Sequence, residues 1–239
     1  MTASRIHPKR PGFLKKLVIA IDGPAASGKS TTARLTAERL GYLFIDTGAM
    51  YRAVTLKALE EKLDLGDERL IGKLAQEMQL TFEHSRDEFK VTVNGRDVTR
   101  AIRSPAVTKA VSRVSAIKSV RDVMVRQQRR IAQGGGVVIE GRDIGTVVLP
   151  DADLKIYLVA DVKERARRRA RELQGGGIEV PVDTLKDELE ERDQRDTSRV
   201  NSPLRKAPDA IELDTSRLSV EQQVEYVVQK AREILRSRA

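Results

Sequence analysis

Short apolar runs alternate along this chain with stretches of helical period. Leu17–Ile21, Tyr42–Ile45, Val137–Ile139, Leu154–Val159 and Ala210–Leu213 each read as a buried strand. Between them the pattern predicts a helix over Lys29–Leu40 and another from about Ala49 to Leu63. Strands separated by helices imply right-handed crossovers and a mostly parallel, five-stranded sheet flanked by helices, an α/β fold. One segment departs from this rhythm. Leu80–Val98 has period-two positions at Phe89, Val91 and Val93 and an Asn94-Gly95 turn, the signature of a small antiparallel insert.

From Ser104 to Gln133 the pattern is helical again, with Ser119 and Asp122 predicting a capping box before Val120–Ile131. The last helix opens on a second box, Ser219 with Gln222, and carries a core stripe of Val220, Val224, Val227, Ala231 and Ile234. Between these lies an irregular region from Glu164 to about Arg199. There Arg165, Arg167, Arg168, Arg169 and Arg171 crowd one helical stretch ahead of Gly175-Gly176-Gly177. A mobile, charged helical flap fits this pattern, and so does a solvated helix with a flexible loop.

Composition narrows the partners. The formal charge of +9 points to polyanions, either a nucleic acid or small substrates carrying several phosphates. Aromatics are only 3% and Trp is absent, which disfavours a base-stacking platform. Without cysteine, disulfides and thiolate metal sites are excluded. Met1–Lys16 is basic, contains proline and lacks the apolar stretch of a signal peptide. No run approaches a membrane span, so a cytoplasmic protein is expected.

Gly23-Pro24-Ala25-Ala26-Ser27-Gly28-Lys29-Ser30 matches G-x-x-x-x-G-K-[ST] in full, between a predicted strand and a predicted helix. Backbone amides of such a loop wrap phosphate oxygens, helped by the helix N-terminus. Lys29 is expected to reach the β- and γ-phosphates of ATP, with Ser30 on Mg²⁺ and Thr31 completing the cradle. A P-loop alone does not choose the acceptor. The chain has no evident GTPase base-specificity motif, and it is too short for a helicase with several motor motifs. A small-molecule kinase is the expectation.

Three further clusters stand at or near predicted strand ends. Asp46-Thr47-Gly48-Ala49-Met50-Tyr51-Arg52 follows the second strand, where open α/β sheets bind ligands. Arg52 can fork onto a phosphate, and Thr47 can cap the helix or donate to a ligand. Glu140-Gly141-Arg142-Asp143-Ile144-Gly145-Thr146 ends the third strand, with Glu140 resembling the carboxylate that holds Mg²⁺ through water. Arg142 and Asp143 read equally as an ion pair in a surface turn. In Glu191–Arg199, Arg192, Asp196 and Arg199 share one helical face.

GPAASGKS, DTGAMYR, EGRDIGTVVLPDA and ERDQRD, in this order and spacing, resemble the bacterial cytidylate kinases from about Leu17 to the C-terminus. The resemblance implies transfer from ATP to CMP or dCMP with Mg²⁺. It also implies a P-loop kinase fold with the small antiparallel insert in the nucleotide-monophosphate region and a helical lid. Residues 17–64, 134–163 and 200–239 would form the core, 65–133 the monophosphate-binding region and 164–199 the lid, with 1–16 a basic extension outside the pattern. Arg52 and Arg142 would hold the acceptor phosphate, and Ser112, Arg121 and Asp143 would read cytosine. Arg192 and Asp196 would lie near the ribose. Arg199, with lid arginines such as Arg165, Arg168 and Arg169, would approach the transferring phosphoryl. A monomer is expected. The rivals are a P-loop kinase for another small acceptor, such as UMP, and a basic nucleic-acid-dependent ATPase with a continuous phosphate-tracking stripe.

Overall fold

The computed structural model describes residues 16–84 and 89–238; apart from Lys16, the basic extension lies outside them. Five parallel strands form the central sheet in the order β2-β6-β1-β7-β8. They are β1 (Val18–Asp22), β2 (Leu43–Asp46), β6 (Val137–Gly141), β7 (Leu154–Val159) and β8 (Ile211–Asp214). β1 pairs with β6 on one side and β7 on the other, and both of those strands come from the distant second half of the chain. Their near-continuous apolar runs are what a sheet covered on both faces demands. One face packs under α1 (Lys29–Leu40) and α8 (Val220–Ser237), which bury Ala33, Ala37, Val227 and Ala231 against Ile19, Ile21 and Leu158.

The other face packs under α2 (Thr47–Glu60), α3 (Glu68–Glu77), α4 (Pro105–Val114) and α5 (Lys118–Ala132) in the larger core cluster. This cluster also takes in the expected insert, a separate antiparallel sheet of β3 (Leu80–His84), β4 (Phe89–Val93) and β5 (Arg96–Asp97). Asn94 and Gly95 make its turn, both with positive φ (50° and 79°), as a two-residue hairpin of primed type requires. α6 (Val162–Gly175) and α7 (Val182–Ser198) form a hairpin with its own small apolar contact of Ala166, Leu185 and Leu189 on the P-loop's Ala25.

Two predicted details are corrected. The Ser119–Asp122 box is not a helix start: α5 begins two residues earlier, at Lys118 after Ile117. Ser119 points out of the helix to donate to the carbonyl of Glu68 (3.1 Å), and Asp122 pairs with Lys118 one turn back (2.8 Å). In α8 the Ser219–Gln222 box is present in both directions, but Val220, expected in the core stripe, is 43% exposed.

Candidate active site

The P-loop leaves the C-terminal end of the central strand β1 and enters α1. Gly23 (φ 154°) has no alternative, since a Cβ there would sit 2.4 Å from the carbonyl oxygen of Leu158 on β7. Gly28 takes φ 93° to turn into α1, and Ala26 is held at φ 57°, a left-handed conformation that a non-glycine residue adopts only under tertiary constraint. Lys29 folds back over the loop, donating to the carbonyl of Pro24 (3.2 Å) and lying 3.8 Å from Glu140 on β6. Burial first, and then the charge of Arg142, pulls the Lys29 ammonium below its ordinary range, with Glu140 opposing. Ser30 and Thr31 are exposed on the first turn of α1, and Ser30 faces the cleft beside Lys29.

Beyond Lys29 the strand ends β2 and β6 supply the acceptor wall. Asp46, not Thr47, caps α2, accepting from Ala49 N (2.9 Å) while it pairs with Arg52 (2.7 Å). Thr47 instead donates to the Glu140 carbonyl (2.7 Å) and so ties α2 to β6. Past β6 the chain makes a wide helical turn at Ile144–Val148, in which Leu149 N reaches back to Ile144 O (2.7 Å). Here Arg142 and Asp143 are not a surface pair, for their side chains diverge. Arg142 Nε donates to Asp196 on α7 (2.9 Å), and Asp143 accepts from Arg121 on α5, both members of that second pair being nearly fully buried.

Arg192, Asp196 and Arg199 share one face of the end of α7, as their spacing predicts, and Asp196 accepts from Arg142 and Arg199 together. Burial alone would raise the Asp196 carboxyl, yet Arg142, Arg199 and Arg192 hold it below its ordinary value. Burial and then Arg142 push the Arg192 guanidinium down to about 10.

These side chains line one cleft. Thr47, Arg52, Ser112, Arg121, Arg142, Asp143, Arg192, Asp196 and Arg199 all border it, as do Lys29 and Glu140. A second hollow continues from it past Lys29, Arg52 and Arg192 to Ala25, Ala26 and Arg169 at the P-loop. Two guanidinium nitrogens on the shared wall, Arg52 Nε and Arg192 Nε, are buried without a hydrogen-bond partner. Buried charged donors of this kind call for an anion.

The lid arginines divide. Arg165 donates to the carbonyl of Ala25 (3.2 Å) and pairs with Asp193 (2.7 Å), and Arg168 donates to the carbonyl of Ser27 (3.2 Å) and to Thr215. Both grip the P-loop from its carbonyl side, whereas Arg169 pairs with Glu172 (2.8 Å) and faces the hollow beside the loop.

Three contributors were not singled out from sequence. Tyr51 lies under the Arg121 guanidinium, 5.5 Å from ring centre to charge. Asp46 anchors Arg52, as described above. Asp22, at the end of β1, accepts from Ile144 N (2.9 Å) and Gly145 N (2.8 Å), and so fixes the turn that carries Arg142 and Asp143.

Burial pushes the Asp22 carboxyl up from 3.8 to about 7, although those two amides pull it down. The unfolded chain releases this proton near pH 4. Asp22 therefore favours the fold most at low pH, and that contribution is lost as pH rises from about 4 to about 7. In urea unfolding between pH 5 and pH 7, the native protein is expected to lose about 2 kcal/mol relative to Asp22→Asn. Parallel stability curves for the two proteins would show that Asp22 does not titrate in the fold.

A parallel sheet with a P-loop on its central strand, opening onto an arginine-walled cleft, defines a P-loop phosphotransferase for a small phosphate-bearing acceptor. The cytidylate kinase family matches this sequence over residues 19–233, and the chain belongs to that family. It is 49% identical over 216 residues to the cytidylate kinase of Ligilactobacillus salivarius (strain UCC118), covering 90% of this chain and 96% of that protein. The cytidylate kinase of Limosilactobacillus fermentum (strain NBRC 3956 / LMG 18251) is likewise 49% identical, over 95% of this chain and all of that one. Among solved structures, an uncharacterized protein from Eubacterium ventriosum ATCC 27560 shares the fold with a TM-score of 0.50 and 14% identity. That match covers 91% of this chain and 99% of the other.

Proposed function

We propose that this enzyme transfers the γ-phosphoryl group of ATP to the 5′-phosphate of CMP or dCMP. The observation that carries the reading is the buried Arg121–Asp143 pair, set in the same cleft as the unsatisfied arginine nitrogens and Lys29. Cytosine offers an N4 amino donor beside N3 and O2 acceptors. Asp143 accepts from the amine while Arg121 or Ser112 donates to the ring. Uracil places an oxygen and an N3 proton at those points, so the polar contacts become repulsive or unpaired, a mismatch worth roughly 10⁴ in discrimination.

Arg52 and Arg142 hold the acceptor phosphate, with Arg192 and Asp196 beside the ribose. The CMP phosphate is the nucleophile and is already ionised, so the protein's work is positioning and charge stabilisation. Lys29, Arg142, Arg192 and Arg199 surround the charge that spreads over the transferring oxygens. The P-loop residues Gly23–Ser30 with Thr31 cradle the ATP phosphates. Ser30 and, through water, Glu140 suit the Mg²⁺ that accompanies ATP: both offer hard oxygen atoms, and Glu140 Oε1 is buried without a partner. The ion would screen the phosphate oxygens when bound.

Residues 164–199 serve as the lid and 65–133 as the acceptor-binding region around the core. The enzyme is proposed to act as a monomer. No described helix is long and apolar enough to cross a membrane, and a cytoplasmic site of action suits these substrates.

The test is ADP release with ATP-Mg²⁺ and CMP, dCMP, UMP, AMP or no acceptor, with turnover expected for CMP and dCMP. Turnover faster with UMP than with CMP would overturn the base assignment. Asp143→Asn is expected to shrink the CMP-over-UMP ratio of kcat/KM by about tenfold or more. An equal loss with both acceptors would deny Asp143 a reading role.

A further inference from the structure

The turn that ends the lid also reaches the base-reading pair. After Arg199 the chain reverses so that Leu204 N donates to the carbonyl of Asp196 (2.8 Å), and Leu204 is buried beneath it. At the crest Ser202 takes φ 54°, a left-handed conformation that glycine or asparagine adopts more readily. In this posture its hydroxyl accepts from Arg121 Nε (3.1 Å), across 81 residues of sequence. The same hydroxyl lies close to the Asp143 carboxylate and counters part of the upward push that burial gives it. A hydroxyl can accept and donate at once, so a single side chain at this point can serve both members of the pair.

The other two Arg121 nitrogens each have one partner, Nη1 the carbonyl of Ser115 (3.3 Å) and Nη2 Asp143, which leaves one N–H on each for a ligand, with the Tyr51 ring under the guanidinium. Of these holders, Ser202 is the one that follows α7 directly in the chain. Arg192 and Asp196 lie on the same α7 that runs into this turn, with Arg199 at its end.

We propose that Ser202 is a specificity-determining positioning residue, whose hydroxyl links the seating of α7 over the phosphates to the orientation of the Arg121–Asp143 pair. This rests on the reading of that pair as the cytosine recogniser. Without the hydroxyl, Arg121 Nε loses its acceptor and the pair can rotate within the cleft. Acceptor binding and base choice then suffer, while the ATP site on the far side of Lys29 does not.

Two variants separate the hydroxyl from the turn: Ser202→Ala removes it and keeps a Cβ in the left-handed position, and Ser202→Gly removes it and relieves the backbone. Steady-state kinetics with CMP and UMP should show KM for CMP raised about tenfold in both variants, as for loss of one hydrogen bond to a charged group. KM for ATP should stay within twofold, and the CMP-over-UMP ratio should fall. Wild-type kinetics in Ser202→Gly would overturn the proposal, showing that turn geometry and not the hydroxyl matters. So would wild-type values in both variants, or equal rises in KM for ATP and CMP. If the unaltered enzyme itself shows no preference for CMP over UMP, the reading of the pair fails, and this failure appears before any variant is compared.

Discussion

Replacing Lys29 with alanine is expected to lower turnover by about 10³-fold at saturating ATP and CMP, while the protein stays folded. The ammonium is buried between the P-loop carbonyl of Pro24 and the carboxylate of Glu140, and Arg142 already disfavours its charge. A triphosphate brings negative charge to this position and reverses that penalty, so the charge of Lys29 counts most when phosphate is present. The contribution grows as charge spreads over the transferring oxygens, and kcat should therefore fall further than ATP affinity. The fold survives because burial, with Asp46 next in weight, already pushes the Glu140 carboxyl up. Glu140 can take a proton where it loses its partner. ADP release together with a thermal melt checks this. Turnover within a few-fold of the unaltered enzyme, in a folded variant, would remove Lys29 from the chemistry.

The parts of this site that were legible in the sequence are those made by local rules. A P-loop is a contiguous backbone device, and its glycines announce it. Arg192, Asp196 and Arg199 share a face because helical spacing places them there, and Asn94-Gly95 turns because few other dipeptides tolerate positive φ at both positions. What escaped depends on partners far along the chain. Asp22 meets amides 122 and 123 residues away, and nothing beside it in sequence distinguishes a buried acceptor from a strand-end carboxylate. Arg142 and Asp143 look paired because they are adjacent, but each finds its partner on a different helix, α7 or α5. Ser119 has the spacing of a cap, and Glu68, 51 residues upstream, decides its use instead. Ser202 sits in an unremarkable loop sequence, and only the return of the chain over Arg121 gives it a role.

Asp196→Ala should be the most destabilising single change in the cleft, costing about 3–5 kcal/mol in urea unfolding. The carboxylate is 1% exposed and accepts from Arg142 and Arg199, and Arg192 lies near enough to help hold it ionised. Removing it leaves three guanidinium groups facing one another in a partly desolvated wall, with no carboxylate between them. The sign with pH follows from the lowered carboxyl: its contribution is fully present above about pH 4 and is lost as pH falls through the folded value. An anion can take over part of the work. Inorganic phosphate should therefore raise the stability of Asp196→Ala more than that of the unaltered protein, by mass action on a site now short of negative charge. Turnover should not return with it, because a free phosphate that satisfies the arginines also occupies the place of the acceptor. If the variant unfolds at the same urea concentration as the unaltered protein, and phosphate stabilises both alike, Asp196 is not what holds these arginines together. Their mutual repulsion would then be relieved by solvent, and the cleft would be more open in solution than the buried carboxylate implies.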